Sequence, residues 1–326
     1  MMRLLLDIIR KYREKFQYLQ LSRKIKYFES VNNFDPKKNI IITGCPRSGT
    51  TWLQELFCSI EKTYPLFEPL YLKDSPRFKE TGFEWRQYIP EDYVWPEAKE
   101  LFEKLFRGQY LTPWMVSQAN VDRLKDAEFL IIKDVRANSL LPWLVRQFDI
   151  RPPIYIIRHP CATVASQLKM IWKDVSPNFT IPETRFPEQY TKYEHILKNI
   201  NTIAEHLAAR WCLDNIVPLN HPENNRLWIT VFYENLITNP HEEIPSIFNR
   251  LTLELPQNIL DKIDEPSSMT QQSSHVKQDK TEQLCKWKND LSEKDINSIL
   301  DMLKKFEIKI YDDNIFPVKT KQTPAR

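Results

Sequence analysis

Glycine is scarce in this chain, with 4 copies among 326 residues. Long apolar runs are missing as well. The segment Leu4–Ile9 is interrupted by Asp7 and is too short to cross a bilayer, so we expect no transmembrane segment and no secretory signal. The 5 cysteines are odd in number and contain no CxxC pair, which favours a reducing, cytoplasmic compartment. A net charge of +3 is too small to indicate a nucleic-acid partner.

Apolar residues are plentiful enough for one large core. Hydrophobic residues make up 42% of the chain and aromatic residues 12%. This composition predicts a single α/β domain with helical insertions rather than two separate domains. We place that domain at residues 36–310, with a basic helical segment (1–35) before it and a tail (311–326) after it.

The basic segment carries apolar residues at helical spacing: Leu5, Ile8, Ile9, Tyr12, Phe16 and Leu19. A helix packed on the domain's own surface is the favoured interpretation. A weak peripheral contact with a membrane is the alternative.

Two of the 4 glycines, Gly44 and Gly49, bracket one short loop in the stretch NIIITGCPRSGTTW. The β-branched run Ile40–Ile42 before it predicts a buried strand, and helical apolar spacing begins at Trp52 after it. A strand, a glycine-bounded loop and a helix start direct backbone N–H groups and a positive helix end at an anion. The sequence therefore predicts a phosphate-binding loop.

The loop departs from a Walker A motif at one position. Thr50 follows the second glycine where that motif has lysine, and the fixed cation is Arg47 inside the loop. A nucleoside triphosphatase uses that lysine on the β- and γ-phosphates. The loop is therefore better suited to hold an anionic group of a nucleotide, and a P-loop kinase or nucleotidase is kept as an alternative.

Apolar patterns further along predict three more strands, at 128–133, 153–158 and 227–234. Helices are predicted at 138–148, at 191–217, from His241 and at 292–306. His195 and His206 lie on the second of these helices without a companion ligand pattern, so we interpret them as structural and expect no metal.

The segment PRSGTTW resembles the phosphosulfate loop of the sulfotransferase superfamily, and is closest to its carbohydrate and bacterial branch. The resemblance implies a P-loop-like central parallel sheet of four to five strands flanked by helices. It also implies 3′-phosphoadenosine 5′-phosphosulfate as donor and adenosine 3′,5′-bisphosphate as product. The implied loop ligands are Arg47, Ser48, Gly49, Thr50, Thr51 and Trp52.

Two further segments match the part of the family pattern that binds the donor's nucleotide. Arg158, at a predicted strand end, and Ser166, eight residues later, match the pair that binds the 3′-phosphate. Tyr233 in YENL matches the tyrosine of the adenine pocket.

A mobile cofactor-capping loop is implied at 264–290. Trp287 and Lys288 match the family's W-K/R-x-x-L segment at its end. The glycine-bearing RKG element that precedes this segment in the family is missing. Lys277 and Lys280 are the candidates to substitute for it.

Lys133 and Arg47 are the implied catalytic cations. Lys133 matches the lysine of the family's K-x-H strand end, but Val135 stands where that pattern has histidine. Glu68 and Asp134 are the two candidates for the general base. We favour Glu68 because its apolar, proline-bounded segment PLFEPLYL resembles the carbohydrate branch and should raise its pKa. Asp134 should point to the face opposite Lys133.

The region 62–128 is expected to consist of helical insertions that cover the acceptor. Between Thr81 and Glu103 six acids oppose two bases, a balance of −4, and aromatic residues are interleaved with them. This pattern suits a small cationic natural product, and a solvated helix face is the alternative. Carbohydrate O-sulfation and an inactive nucleotide-binding scaffold are kept as alternatives for the whole chain.

Overall fold

The computed structural model describes residues 2–170, 176–257, 259–262 and 280–318. Its strands are β1 (Ile40–Gly44), β2 (Thr63–Phe67), β3 (Phe129–Asp134), β4 (Ile154–Ile157) and β5 (Ile229–Phe232). These five strands form one parallel sheet in the order β2-β3-β1-β4-β5. The predicted α/β fold with a central parallel sheet is confirmed.

Helices connect the strands and cover both faces of the sheet. They are α1 (Met2–Val31), α2 (Thr50–Phe57), α3 (Pro76–Glu80), α4 (Pro96–Phe106), α5 (Leu141–Gln147), α6 (Pro160–Lys169), α7 (Glu188–Thr191), α8 (Glu194–Leu197), α9 (Ile203–Asn220), α10 (Tyr233–Thr238), α11 (Pro240–Arg250), α12 (Lys280–Cys285), α13 (Trp287–Asp290) and α14 (Glu293–Lys305). Five of them carry proline in the first turn, where its missing N–H leaves no helical bond unmade.

The core lies on both faces of the sheet because successive strand residues point in opposite directions. Ile40 and Ile42 pack with α2 and α11, where Phe57 stacks on Phe248 at 4.8 Å. Ile41 faces the other side, which is covered by α4 and α5. The β1 residues are buried on both faces, which explains why the strand reads as a continuous apolar run.

Strand β2 corrects the expectation that residues 62–128 contain only helices and loops. It forms the edge of the sheet and pairs only with β3. Pro65 inside it lacks an N–H group, which an edge strand tolerates on its open side. The consequence for the site is that Glu68 directly follows a strand of the sheet rather than lying in a covering loop.

The prediction of one long helix over residues 191–217 is also wrong. The chain forms the short helices α7 and α8, and α9 begins only at Ile203. Thr202 and Glu205 form a capping box that starts α9. The part of the chain described by the structure contains no group of His, Cys, Asp and Glu that could hold a metal ion.

Helix α1 packs on the domain over part of its length. Its carboxyl-terminal part packs on the body of the protein through Ile25 and Phe28, which are buried. Tyr12, Phe16 and Leu19 are exposed. Among the described residues, no helix is long and apolar enough to span a membrane.

Candidate active site at the carboxyl edge of the sheet

Four candidate side chains meet at one edge of the sheet because they lie at or just after the carboxyl ends of parallel strands. Lys133 is in β3, and Glu68 directly follows the neighbouring strand β2. On the other side of β1, Arg158 follows β4 and Tyr233 follows β5. The loop after β1 (45–49) therefore lies between a Glu68–Lys133 side and an Arg158–Tyr233 side.

Both glycines of this loop are required by their surroundings. A Cβ atom at Gly44 would lie 2.4 Å from the carbonyl oxygen of Ile156. Gly49 has φ +94° at the start of α2, and a Cβ there would lie 2.6 Å from the ring of Tyr233. Neither position therefore accommodates a side chain.

The guanidinium groups of Arg47 and Arg158 lie close together. The Nε of Arg47 donates to the hydroxyl of Ser166 at 3.0 Å, and Arg158 donates to the carbonyl oxygen of Arg47 at 3.0 Å. Burial, followed by the positive charge of Arg158, lowers the pKa of Arg47. Neither arginine forms an ion pair with a carboxylate of the described chain, so this pair of cations is suited to an anionic ligand.

Two polar atoms at this place, Ser48 Oγ and Arg158 Nε, are buried and have no hydrogen-bond partner among the described residues. Leaving a buried donor unsatisfied costs about 1–3 kcal/mol. Thr50 is buried at the start of α2, and Thr51 and Trp52 are half-buried beside it. Phosphate or sulfate oxygens would satisfy such donors, so the loop fits the anionic groups of a sulfated nucleotide.

The residues predicted to bind the donor's nucleotide lie around Arg158 and His159. Arg158 lies over the ring of Tyr233 at 4.4 Å. Trp287 is buried and stacks on His159 at 4.6 Å, and the ammonium of Lys288 lies 5.3 Å from the Trp287 ring. The Trp-Lys segment is thus beside Arg158. Lys277 lies outside the described residues, as does most of the segment 264–290.

His159 holds this region together and is not placed for proton transfer. Its Nδ1 accepts from the N–H of Cys161 and caps α6, while Nε2 lies 2.9 Å from the carbonyl oxygen of Asp312. Burial lowers the pKa of His159 to about 4. Glu234 accepts from the His159 N–H and from the hydroxyl of Tyr311. Residues 311 and 312, which were assigned to a tail, therefore brace the site.

Glu68 is held between two cations. Its carboxylate accepts from Lys133 Nζ at 2.7 Å and from Arg136 at 2.7 Å. Burial raises its pKa, but the charges of Lys133 and Arg136 outweigh burial and leave the pKa below its usual value. The expected raised pKa is therefore wrong, because the apolar segment that contains Glu68 supplies neither of these charges. Glu68 has φ +42°, a conformation that residues other than glycine rarely adopt.

Asp134 is occupied by the backbone. Its two carboxylate oxygens accept from the N–H groups of Leu70 and Arg136, at 2.6 and 2.8 Å. Burial raises its pKa to about 6. Asp134 thus fixes the turns that carry Glu68 and Arg136.

Three of the six acids of the segment 81–103 have a basic partner. These partners are His221 for Glu91, Arg146 for Asp92 and Lys104 for Glu100. Glu97 and Glu103 are exposed. Three of the segment's rings, Phe83, Trp95 and Phe102, are buried, and Phe83 stacks on Trp95 at 5.1 Å. These contacts give no support to the expected cation-binding surface.

A buried polar cluster beneath the loop has no counterpart in the sequence analysis. Asn215 donates to the sulfur of Cys45 at 3.1 Å, and Cys45 in turn lies 3.6 Å from a carboxylate oxygen of Asp214. That carboxylate forms an ion pair with Arg86. Its members come from distant parts of the chain, so no local sequence pattern signals the cluster, and burial raises the pKa of the Cys45 thiol to about 12.

Comparison with known proteins gives a family match. Residues 39–257 match the model of the family described as "Sulfotransferase family". No curated protein matches the chain.

Several solved structures are similar. The sulfotransferase domain from the curacin biosynthetic pathway is 16% identical over 83% of this chain and 98% of that chain, with a TM-score of 0.45. The sulfotransferase domain of the Synechococcus PCC 7002 olefin synthase is 18% identical over 86% and 96%, with a TM-score of 0.45. Mouse sulfotransferase SULT7A1, solved with PAP, is 16% identical over 87% and 88%, with a TM-score of 0.44.

Proposed function

Because the chain belongs to the sulfotransferase family, we propose that it transfers a sulfuryl group from 3′-phosphoadenosine 5′-phosphosulfate to a hydroxyl or amine of a small-molecule acceptor. The observation that carries the proposal is the pair Arg47 and Arg158. Both are partly buried at a glycine-bounded loop and, within the described chain, have no carboxylate partner.

The donor would be held by residues on one side of the edge. Arg47, Ser48, Gly49, Thr50 and Thr51 would bind the 5′-phosphosulfate through the loop and the start of α2. The groups assigned to the 3′-phosphate are Arg158 and Ser166. Trp52 and Tyr233 would contact the adenine, and Trp287 and Lys288 would cover it.

The donor supplies an activated sulfuryl group, and the protein's share of the chemistry is positioning and charge. Arg47 is a fixed cation in the loop after β1, and Lys133 is a fixed cation near the carboxyl end of β3. They would stabilise negative charge on the leaving phosphate and on the transferring group without a metal ion. Burial lowers the pKa of Lys133, and Glu68 opposes that shift.

Glu68 is the proposed general base. Its depressed pKa keeps it ionised at neutral pH, so it can accept a proton without first losing one. An acceptor hydroxyl that reaches Glu68 would replace one of its two ion-pair hydrogen bonds and thereby make the carboxylate more basic. The positive φ of Glu68 is a strained conformation of the kind found at functional sites.

Transfer of radiolabelled sulfate from the donor, screened over glycans, phenols and small natural products, tests this function. We expect labelled product with at least one acceptor class and loss of labelling in Arg47→Ala. A preference for glycans would favour carbohydrate O-sulfation. Absence of transfer together with absence of donor binding would leave only the family's fold.

We propose a cytoplasmic location with contact to anionic membrane surfaces through α1. Basic residues accompany the exposed Tyr12, Phe16 and Leu19 along this helix. The cysteines are free. Sedimentation with vesicles of anionic lipid tests the contact: Phe16→Glu should reduce binding, and equal binding of both proteins would contradict the proposal.

A further inference from the structure

Three arginines, Arg136, Arg86 and Arg210, form a row in space between Glu68 and helix α9. Arg136 donates to Glu68 and lies over the ring of Trp85 at 4.3 Å. Arg86, the next residue after Trp85, forms an ion pair with Asp214 on α9. Arg210 precedes Asp214 by four residues on α9, so the two side chains share a face of that helix.

The cluster carries more positive than negative charge. Glu68 is shared between Lys133 and Arg136, and Asp214 pairs with Arg86. The side chain of Arg210 has neither a hydrogen bond nor an ion pair within residues 2–170, 176–257, 259–262 and 280–318. Burial, followed by the charge of Arg210, lowers the pKa of Arg86. The Nε of Arg86 is buried and has no hydrogen-bond partner within the described residues.

The cluster is next to the proposed chemistry. Asp214, which pairs with Arg86, is also in contact with Cys45 at the start of the loop. Arg136, at the other end, binds the proposed base. Aromatic rings lie beside Arg136: Tyr71 lies 5.4 Å from Trp85 and 4.7 Å from Trp114, and Arg136 lies over the rings of Tyr71 and Trp85. An acceptor between these groups would meet rings, Glu68 and two incompletely paired guanidinium groups.

We propose that the acceptor carries an oxyanion, a carboxylate or a phosphate or sulfate monoester, that binds Arg86 and Arg210 while its hydroxyl or amine faces Glu68. The proposal rests on the proposed function and replaces a cationic acceptor with an anionic one. Arginine forks bind oxyanions with paired hydrogen bonds, and the unpaired donors of this cluster are of that kind.

A matched set of phenols tests the charge preference. The probes are 4-hydroxyphenylacetate, 4-hydroxybenzylphosphonate, the neutral 2-(4-hydroxyphenyl)ethanol and the cation tyramine. Binding is measured by calorimetry on the full chain saturated with adenosine 3′,5′-bisphosphate, so that the loop after β1 is filled. We expect at least one anionic probe to bind at least about tenfold more tightly than the neutral and cationic probes. The better of the two anions identifies a carboxylate or a phosphate-like group.

Arg210→Gln locates the site. Because Arg210 has no carboxylate partner in the described chain, its removal leaves no acid of that part unpaired, and thermal stability should stay close to wild type. Affinity for the anionic probe should fall about 10- to 100-fold, the range for one charged hydrogen bond. Arg210→Lys should recover part of it. The matched control is Arg226→Gln, which replaces an exposed arginine just before β5, the outer strand farthest from β2. This control variant should bind the anionic probe as tightly as wild type.

No advantage of either anion over its neutral partner would overturn the proposal, and so would an advantage that survives Arg210→Gln. Failure of the proposed function looks different. In that case adenosine 3′,5′-bisphosphate itself would not bind, whereas failure of this inference leaves its binding intact.

Discussion

At the scale of single residues, the candidate site contains two kinds of positively charged side chain, those without a carboxylate partner in the described chain and those paired with Glu68. Arg47 and Arg158 have no carboxylate partner in the described chain, so they are available to an anionic ligand. Lys133 and Arg136 instead share Glu68, which keeps that carboxylate ionised. The first pair would bind the donor, and the second would set the charge state of the base.

Replacing Arg158 by Ala should weaken binding of adenosine 3′,5′-bisphosphate by about 1.5–3 kcal/mol, the range for a hydrogen bond to a charged group. The reason is the loss of a guanidinium group assigned to the 3′-phosphate. Calorimetry with adenosine 5′-phosphate, which lacks that phosphate, supplies the control. Equal losses for the two ligands would remove Arg158 from the 3′-phosphate site.

Replacing Glu68 by Gln should lower turnover about 10²–10⁴-fold, the usual range for a general base, with bisphosphate affinity unchanged. The depressed pKa has a further consequence with a defined sign. In wild type, the acid limb of kcat/KM, which reports the free enzyme, should lie below pH ~4.3, the ordinary pKa of glutamate, where that limb belongs to Glu68. The stability that its ion pairs contribute should be present above that pH and lost as pH falls through the depressed value.

Asp134→Asn separates the two candidate bases. Since both oxygens of Asp134 accept backbone N–H groups, we expect this variant to lose thermal stability more than catalytic rate. Near-normal turnover in Glu68→Gln, combined with loss in a folded Asp134→Asn, would assign the role to Asp134.

Residues that belong to one continuous motif were predictable, and those brought together by folding were not. The loop glycines follow from local spacing alone. The pKa of Glu68 depends on Lys133 and Arg136, which come from another strand more than sixty positions away. For the same reason the Arg86–Asp214 pair gave no signal in the sequence.

At the scale of elements, the turn between β1 and α2, the proposed anion site, has a backbone that comes close to two neighbours. Gly44 is next to the Ile156 backbone, and Gly49 is next to the ring of Tyr233. These strands and helix starts were predictable from apolar periodicity and glycine placement. Strand β2 was not, because five residues interrupted by Pro65 lack the period of a typical strand. The start of α9 was missed although Thr202 and Glu205 form a recognisable capping pattern.

Replacing Gly49 by Ala should lower both stability and bisphosphate affinity. The new Cβ adds the strain of a positive φ, roughly 1–2 kcal/mol, and collides with Tyr233 at 2.6 Å. Gly82→Ala is a matched control, since Gly82 has φ +92° but a Cβ there would lie 3.9 Å from its nearest neighbours, the side chains of Arg185 and Trp95. Denaturation and calorimetry on both variants should show comparable strain but loss of affinity only at position 49. Unchanged affinity in Gly49→Ala would contradict the role of the loop.

At the scale of the whole molecule, one parallel sheet places the groups proposed to bind the donor and those proposed to bind the acceptor side by side along a single edge. Composition and strand pattern predicted this α/β architecture, since a buried parallel sheet leaves a strong apolar signal. The charge of the acceptor region could not be predicted in the same way. Local acidity between residues 81 and 103 indicated a cationic acceptor, whereas folding pairs Asp92 and Glu100 with exposed cations and pairs Arg86 with the buried Asp214.

The most direct test of the central claim is a thermal-stability titration of the intact protein with adenosine 3′,5′-bisphosphate, compared with Mg-ATP. A ligand that binds only the folded state at a hundred times its Kd should stabilise it by about 2.7 kcal/mol. We predict this stabilisation with the bisphosphate, its reduction in Arg158→Ala, and little effect of Mg-ATP. Stabilisation by Mg-ATP without stabilisation by the bisphosphate would contradict the assignment and favour a P-loop kinase or nucleotidase.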